Sequence, residues 1–203
     1  MDKKFIFPKG STGLLVYLCL AGFAPAGVAQ SGVSERHGAL LKLADEIVRQ
    51  HPDINHISLQ QAQARQGKVT FIDVRTPGEY AVSRIPGAIN ISDGPALLEY
   101  ARQHPQQQLV LYCSVGRRSA EFTELLHSQG VFQASNFVGS IFAWGNVGLG
   151  LENDAGVTKA VHPFNWFWGW RYLDAPLHAS QPREAVTDQG LTPPAGEHRS
   201  SHR

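Results

Sequence analysis

The stretch Leu109-Val110-Leu111-Tyr112-Cys113-Ser114-Val115-Gly116-Arg117-Arg118-Ser119 decides how the chain is read. A short apolar run bounded by turn residues is a buried strand, and this one ends at a cysteine. Gly116 and two arginines make a tight turn, and a helical pattern starts at once near Ser119. Ala120, Phe122, Leu125 and Leu126 recur at helical spacing, and Gly130 is a natural C-terminal stop. Strand, anion loop and helix therefore follow one another without a gap, and Cys113 faces a helix N-terminus.

That position supplies backbone N–H groups with no intrahelical partner and the positive end of the helix dipole. Both favour a thiolate and both bind anions, so Cys113 is a candidate nucleophile rather than a core cysteine that merely ends a strand. The loop amides from Ser114 through Val115 and Gly116 to Arg118 would steady a sulfur anion. Arg118 and Arg117 would hold the negative oxygens of a substrate.

Cys113, Gly116, Arg118 and Ser119 stand at the spacing Cys-x-x-Gly-x-Arg-Ser, which resembles the active loop of rhodanese-type sulfurtransferases. Asp73-Val74-Arg75 and the segment Glu79 to Ile91, with Ile85-Pro86-Gly87-Ala88, resemble two further hallmark segments in the family's order. The resemblance covers about Ile54 to Tyr172. It implies an α/β fold, a twisted parallel sheet of about five strands with helices on both faces, and a site in which Asp73, Arg75 and Ser119 support the loop. It also implies transfer of sulfane sulfur, from thiosulfate or a similar anionic donor to a thiol or cyanide, through a Cys113 persulfide and without a cofactor. Two departures stand out. Ser83-Arg84 replaces the common Gly-His, adding a cation that could reach the rim, and Ser140 replaces the second glycine of a Gly-Gly-x-x-x-Trp helix start.

Two other readings of the loop stay open. A cysteine phosphatase also sets cysteine and arginine around a helix N-terminus, but its loop is one residue longer than Ser114 to Arg117, and a shorter cradle encloses a phosphate ester poorly. A noncatalytic redox-sensing or persulfide-binding module would use Cys113 only as a reversible oxidation site.

The residues outside the loop agree with alternating strands and helices. Val69 to Val74 is a continuous apolar and β-branched run, as expected of a strand buried on both faces. Ser58 and Gln61 form a capping-box signature, Pro77 suits the first turn of a short helix to Val82, and Gly94 to His104 reads as a helix ended by Pro105. Asn136 to Val138 gives a last short strand. Both Arg75 and Cys113 would then sit at carboxyl ends of parallel strands, where open sheets bind ligands.

With 203 residues, 42% hydrophobic and 17% charged, the chain suits one domain with extensions. Residues 1–29 read as a signal peptide: Lys3, Lys4 and Lys9 precede the apolar segment Leu14 to Ala24, and Gly27 and Ala29 fit cleavage before Gln30. Cleavage after Ala26 and retention as an anchor are the alternatives. Loss of those lysines and Asp2 takes the formal charge from +1 to −1, which offers no nucleic-acid footprint. It also removes Cys19, leaving Cys113 as the one thiol, so no intramolecular disulfide competes for it. The nine histidines show no metal-ligand spacing. The expected location is periplasmic or secreted, and N-terminal sequencing of exported protein should start near Gln30. A detergent-requiring chain that begins at Met1 would contradict it.

The remaining boundaries follow from composition. Residues 30–52 hold an N-terminal helix with Leu40, Leu41, Leu43, Ala44, Ile47 and Val48 on one face, and 53–150 form the domain proper. Residues 151–174, with Trp166, Phe167, Trp168 and Trp170, are expected to pack back on the sheet as a clasp, a membrane or partner surface being the alternative. Residues 175–203 read as a disordered tail rich in Ser, Gln, Pro, Glu and His.

Overall fold

The computed structural model describes residues 34–179. The leader read over 1–29 and the tail from 180 onward lie outside them. In chain order the elements are α1 (Glu35–Gln50), β1 (His56–Ile57), α2 (Leu59–Arg65), β2 (Thr70–Asp73), α3 (Pro77–Val82), β3 (Ile89–Asn90), α4 (Gly94–Gln103), β4 (Leu109–Tyr112), α5 (Arg117–Ser128), β5 (Ala134–Phe137), α6 (Ser140–Asn146), β6 (Leu151–Asn153), β7 (Gly156–Thr158) and α7 (Trp166–Tyr172). Strands β1 to β5 form one parallel sheet in the order β1-β5-β4-β2-β3.

Parallel strands need crossovers, and the helices that supply them cover both faces. Side-chain alternation along β4 sorts the core. Leu109, Leu111 and Cys113 lie with Leu97, Ala101 and Leu126 of α4 and α5, whereas Val110 and Tyr112 lie with Leu40, Leu43 and Ile47 of α1 and with Ile141 to Trp144 of α6. All four β4 residues are buried. The expected α/β fold with a parallel sheet of five strands is therefore the observed one.

Local chemistry explains the element ends. Ser58 and Thr76 each complete a capping box, with Gln61 and Glu79 respectively, and Ser34 and Asp93 cap α1 and α4 through their side chains. Helix α5 starts two residues earlier than expected, at Arg117, because Gly116 takes a left-handed conformation and opens the helix directly. Strand β5 likewise starts earlier, at Ala134, where its register with Leu109 begins.

The extensions differ from expectation in two places. The apolar stripe of α1 is narrower, since Leu41 and Val48 are exposed and His37 is buried instead. Only part of the aromatic extension packs as a clasp. Leu151, Val161 and Leu173 are buried and Trp168 and Tyr172 join the core, but Trp166, Phe167 and Trp170 are 76%, 53% and 51% exposed. Regular structure also runs past residue 174, where the tail was expected to begin: Ala175–Leu177 form a 3-10 turn and His178 bridges to Val161.

Candidate active site

Cys113 follows β4, the middle strand, and the residue is 1% exposed. The loop after it is held from below by the start of α6. Ile141, Phe142 and Gly139 donate their N–H groups to the carbonyls of Cys113, Ser114 and Val115 at 3.2, 3.1 and 3.0 Å. In a trans peptide the carbonyl and the following N–H point opposite ways, so the N–H groups of Ser114, Val115 and Gly116 face away from α6. That is the side of the Cys113 Sγ, which accepts from the Gly116 N–H at 3.2 Å. The result is a concave set of donors suited to an anion.

Gly116 is irreplaceable there. Its φ is +109°, and a Cβ would meet the backbone of Val138, Gly139 and Phe137 at 3.2 to 3.3 Å. Gly116→Ala is expected to lower stability by about 2 kcal/mol, read as a drop in thermal midpoint, because neither the left-handed backbone nor the contacting main chain can yield. An unchanged midpoint would contradict this.

Ser119 carries a polar chain away from the thiol. Its Oγ lies 3.7 Å from Cys113 Sγ and 2.6 Å from Asn136 Oδ1, Asn136 Nδ2 donates to His56 Nδ1 at 3.2 Å, and His56 Nε2 donates to the His51 carbonyl at 2.8 Å. A carbonyl only accepts, so a neutral His56 carries its proton on Nε2 and takes the Asn136 amide on Nδ1. Asn136 then presents its oxygen to Ser119, whose single proton goes there. Ser119 Oγ is left to accept from the Cys113 thiol. Ser140, in the place of the expected second glycine, takes φ +50° and accepts from the Cys113 N–H at 3.1 Å.

The arginines are placed differently from one another. Arg118 forms a two-pronged pair with Glu79, Nη2 to Oε1 at 2.9 Å and Nη1 to Oε2 at 3.2 Å, with Ser114 Oγ beside both at 3.4 Å. Glu79 is 4% exposed and also accepts from the Thr76 N–H and hydroxyl. Burial alone would raise the Glu79 carboxyl, but the Arg118 hydrogen bonds and charge outweigh it and hold the group below its ordinary value. Arg118 thus pairs with Glu79 while also lining the cavity at Cys113. Arg117 reaches Gln50 Oε1 at 3.3 Å and stands 4.0 Å from Glu46, while its Nε has no partner among the described residues.

Asp73 and Arg75 do not bond to the loop among the described residues. Both are fully buried, Arg75 clasps Asp73 through Nε and Nη2, and its Nη2 also donates to the Ser83 carbonyl at 2.6 Å. They tie the end of β2 to the end of α3, and the direct loop support is Glu79. Arg84 does not line the cavity either: it stacks on Tyr80 and pairs with Glu152 and Asp154, anchoring the β6–β7 hairpin.

A cavity of about 200 Å³ opens above the thiol, lined by Cys113, Ser114, Val115, Arg117, Arg118, Phe164 and Trp168. Sequence reasoning missed Glu79, Asn136 and Phe164 here. The Thr76-x-x-Glu79 spacing could have flagged the first, but nothing in the sequence places the other two beside the loop.

Residues 58–146 match the family described as the rhodanese-like domain. A sulfurtransferase of Allochromatium vinosum is 32% identical over 97 residues, which cover 48% of this chain and 91% of that protein. The thiosulfate:glutathione sulfurtransferase of Homo sapiens is 32% identical over 92 residues, 38% of this chain and 80% of that protein. Among solved structures, a rhodanese-like domain protein from Staphylococcus aureus is 27% identical, covers 50% of this chain and 99% of its own, and superimposes with a TM-score of 0.43.

Proposed function

Since the chain belongs to the rhodanese-like family, we propose that it is a sulfurtransferase in which Cys113 carries sulfane sulfur, as a persulfide, from thiosulfate or a similar donor to a thiol or cyanide. The Cys113 thiolate attacks the outer sulfur of the donor, the S–S bond within thiosulfate breaks, and sulfite leaves with the electron pair. The acceptor thiolate or cyanide then attacks the outer persulfide sulfur and returns the Cys113 thiolate. No electrons are gained or lost overall and no metal is required.

The observation that carries this reading is the donor set at Cys113 Sγ: the Gly116 N–H at 3.2 Å, with the Ser114 and Val115 N–H groups turned to the same side. Donors fixed before reaction stabilise sulfur anions without reorganisation cost. Arg117 and Arg118, which both line the cavity, supply positive charge for the oxygens of the donor. Ser119 must turn its proton from Asn136 to sulfur once the thiolate forms.

Intact mass after incubation with thiosulfate tests the reading. One added sulfur atom is expected, and cyanide should remove it as thiocyanate. Sulfur that loads but passes to no acceptor would favour the noncatalytic persulfide-binding module. Hydrolysis of aryl phosphates without any sulfur uptake would favour the phosphatase. The leader read over residues 1–29 supports a periplasmic or secreted setting, in which Cys113 has no second cysteine to form an intramolecular disulfide.

A further inference from the structure

One wall of the cavity comes from the extension rather than from the five-stranded domain. Phe164 and Trp168 face it, edge to face, with ring centroids 6.4 Å apart at 76°. The extension is shaped to hold them. Asn165 caps α7 by accepting from the Trp168 N–H, and Gly169 lets the helix backbone lie against Pro163, where a Cβ would collide. Phe164 itself takes φ +66°, a conformation rare for an L side chain, while its N–H donates to His162 Nδ1 at 3.1 Å. Backbone strain of this kind persists where the surroundings enforce it. It sets the Phe164 ring over the Arg118 guanidinium at 4.9 Å.

Two consequences bear on what the cavity binds. Arg118 is occupied by Glu79 and covered by Phe164, so a small, strongly hydrated dianion finds less positive charge than the two arginines of the sequence promise. Arg117 also lines the cavity, but its guanidinium reaches Gln50 at 3.3 Å and stands 4.0 Å from Glu46. The aromatic wall offers apolar contact that an inorganic donor cannot use. A volume of about 200 Å³ is enough for a small ring, since an apolar cavity of about 150 Å³ holds benzene.

We propose that the cavity is selective for an organic sulfane-sulfur donor whose apolar group, up to about the size of benzene, lies against Phe164 and Trp168, in preference to thiosulfate. This rests on the sulfurtransferase reading and specifies its donor. With a thiosulfonate, R–SO2–S⁻, the Cys113 thiolate attacks the terminal sulfur and the bond to the sulfonyl sulfur breaks. The sulfinate R–SO2⁻ leaves with the electron pair, and the enzyme holds the persulfide anion.

Benzenethiosulfonate and methanethiosulfonate share head group and charge and differ in the ring, so their ratio isolates the wall. Sulfur loading is followed by intact mass and by thiocyanate release with cyanide, and each rate is divided by that of a free thiol in solution. The corrected ratio should favour the benzene donor by about tenfold, and Phe164→Ala should bring it near one, with Phe164→Leu between. Phe164 is 42% exposed, so its truncation leaves the core intact, and Trp168→Phe provides a second variant that keeps a ring in place. A corrected ratio near one in the wild type, or one that Phe164→Ala leaves unchanged, overturns the proposal. If methanethiosulfonate and thiosulfate still load Cys113 in that case, sulfur transfer stands and only the donor preference falls. If no donor places sulfur on Cys113, both fall.

Discussion

Cys113→Ser is expected to abolish sulfur loading from any donor and to reduce thiocyanate formation by on the order of 10⁴-fold or more, the range seen when a nucleophile is removed. The hydroxyl is a poor nucleophile without a base to activate it, and the side chain beside it, Ser119, carries a neutral hydroxyl that is not basic enough to take its proton. The serine side chain is smaller than the thiol and sits in the same buried site, so the fold should survive. A thermal midpoint within a few degrees of wild type, together with no mass increase, is the expected pair of results. Persistent sulfur uptake in the variant would place the acceptor atom elsewhere and remove the main support for the proposed mechanism.

Removing the charge on Glu79 is the second large effect. Glu79→Gln leaves Arg118, which is only partly exposed, without its counter-charge and weakens five hydrogen bonds to one carboxylate. A loss of about 1.5–3 kcal/mol at neutral pH is expected, read by urea unfolding. The pH dependence has a definite sign. Glu79 is held below the ordinary carboxylate value of 4.5, so its contribution is full above that value and is lost as pH falls through the lower folded-state value. The gap between wild type and Glu79→Gln should therefore close on acidification below the ordinary carboxylate range. A gap that stays constant from neutral to strongly acidic solution would show that shape at position 79, not charge, supports the loop.

Much of the fold could be read from local pattern because its signals are local. The apolar run Leu109 to Tyr112, the capping boxes at Ser58 and Thr76, and Gly116 and Gly130 around α5 each act within a few residues, and the spacing from Cys113 to Ser119 needs no partner to be recognised. Local pattern does not reach as far where a side chain's role depends on what lies opposite it. Arg118 and Arg117 are neighbours of the same type, yet one is claimed by Glu79, 39 positions away in sequence, and the other is not. The family resemblance implies loop support by Asp73 and Arg75, whereas in the fold Arg75 bonds to Asp73 and to the Ser83 carbonyl.

The aromatic extension shows the same division. Its composition marks Trp166 to Trp170 as apolar, and an apolar cluster is expected to be buried. Which rings turn inward is decided by where α7 meets α1 and Pro163, so Trp168 packs while Trp166 and Trp170 stack on each other in solvent. By itself the sequence determined the alternation of strands and helices and the turn that sets Cys113 before a helix, since these rest on periodicity and short-range hydrogen bonding. Only the tertiary structure decided that Arg118 pairs with Glu79, that Ser119, Asn136 and His56 form a hydrogen-bonded chain beside the thiol, and that Phe164 lines the cavity. Those depend on contacts between residues far apart in the chain, whose free energies no local pattern encodes.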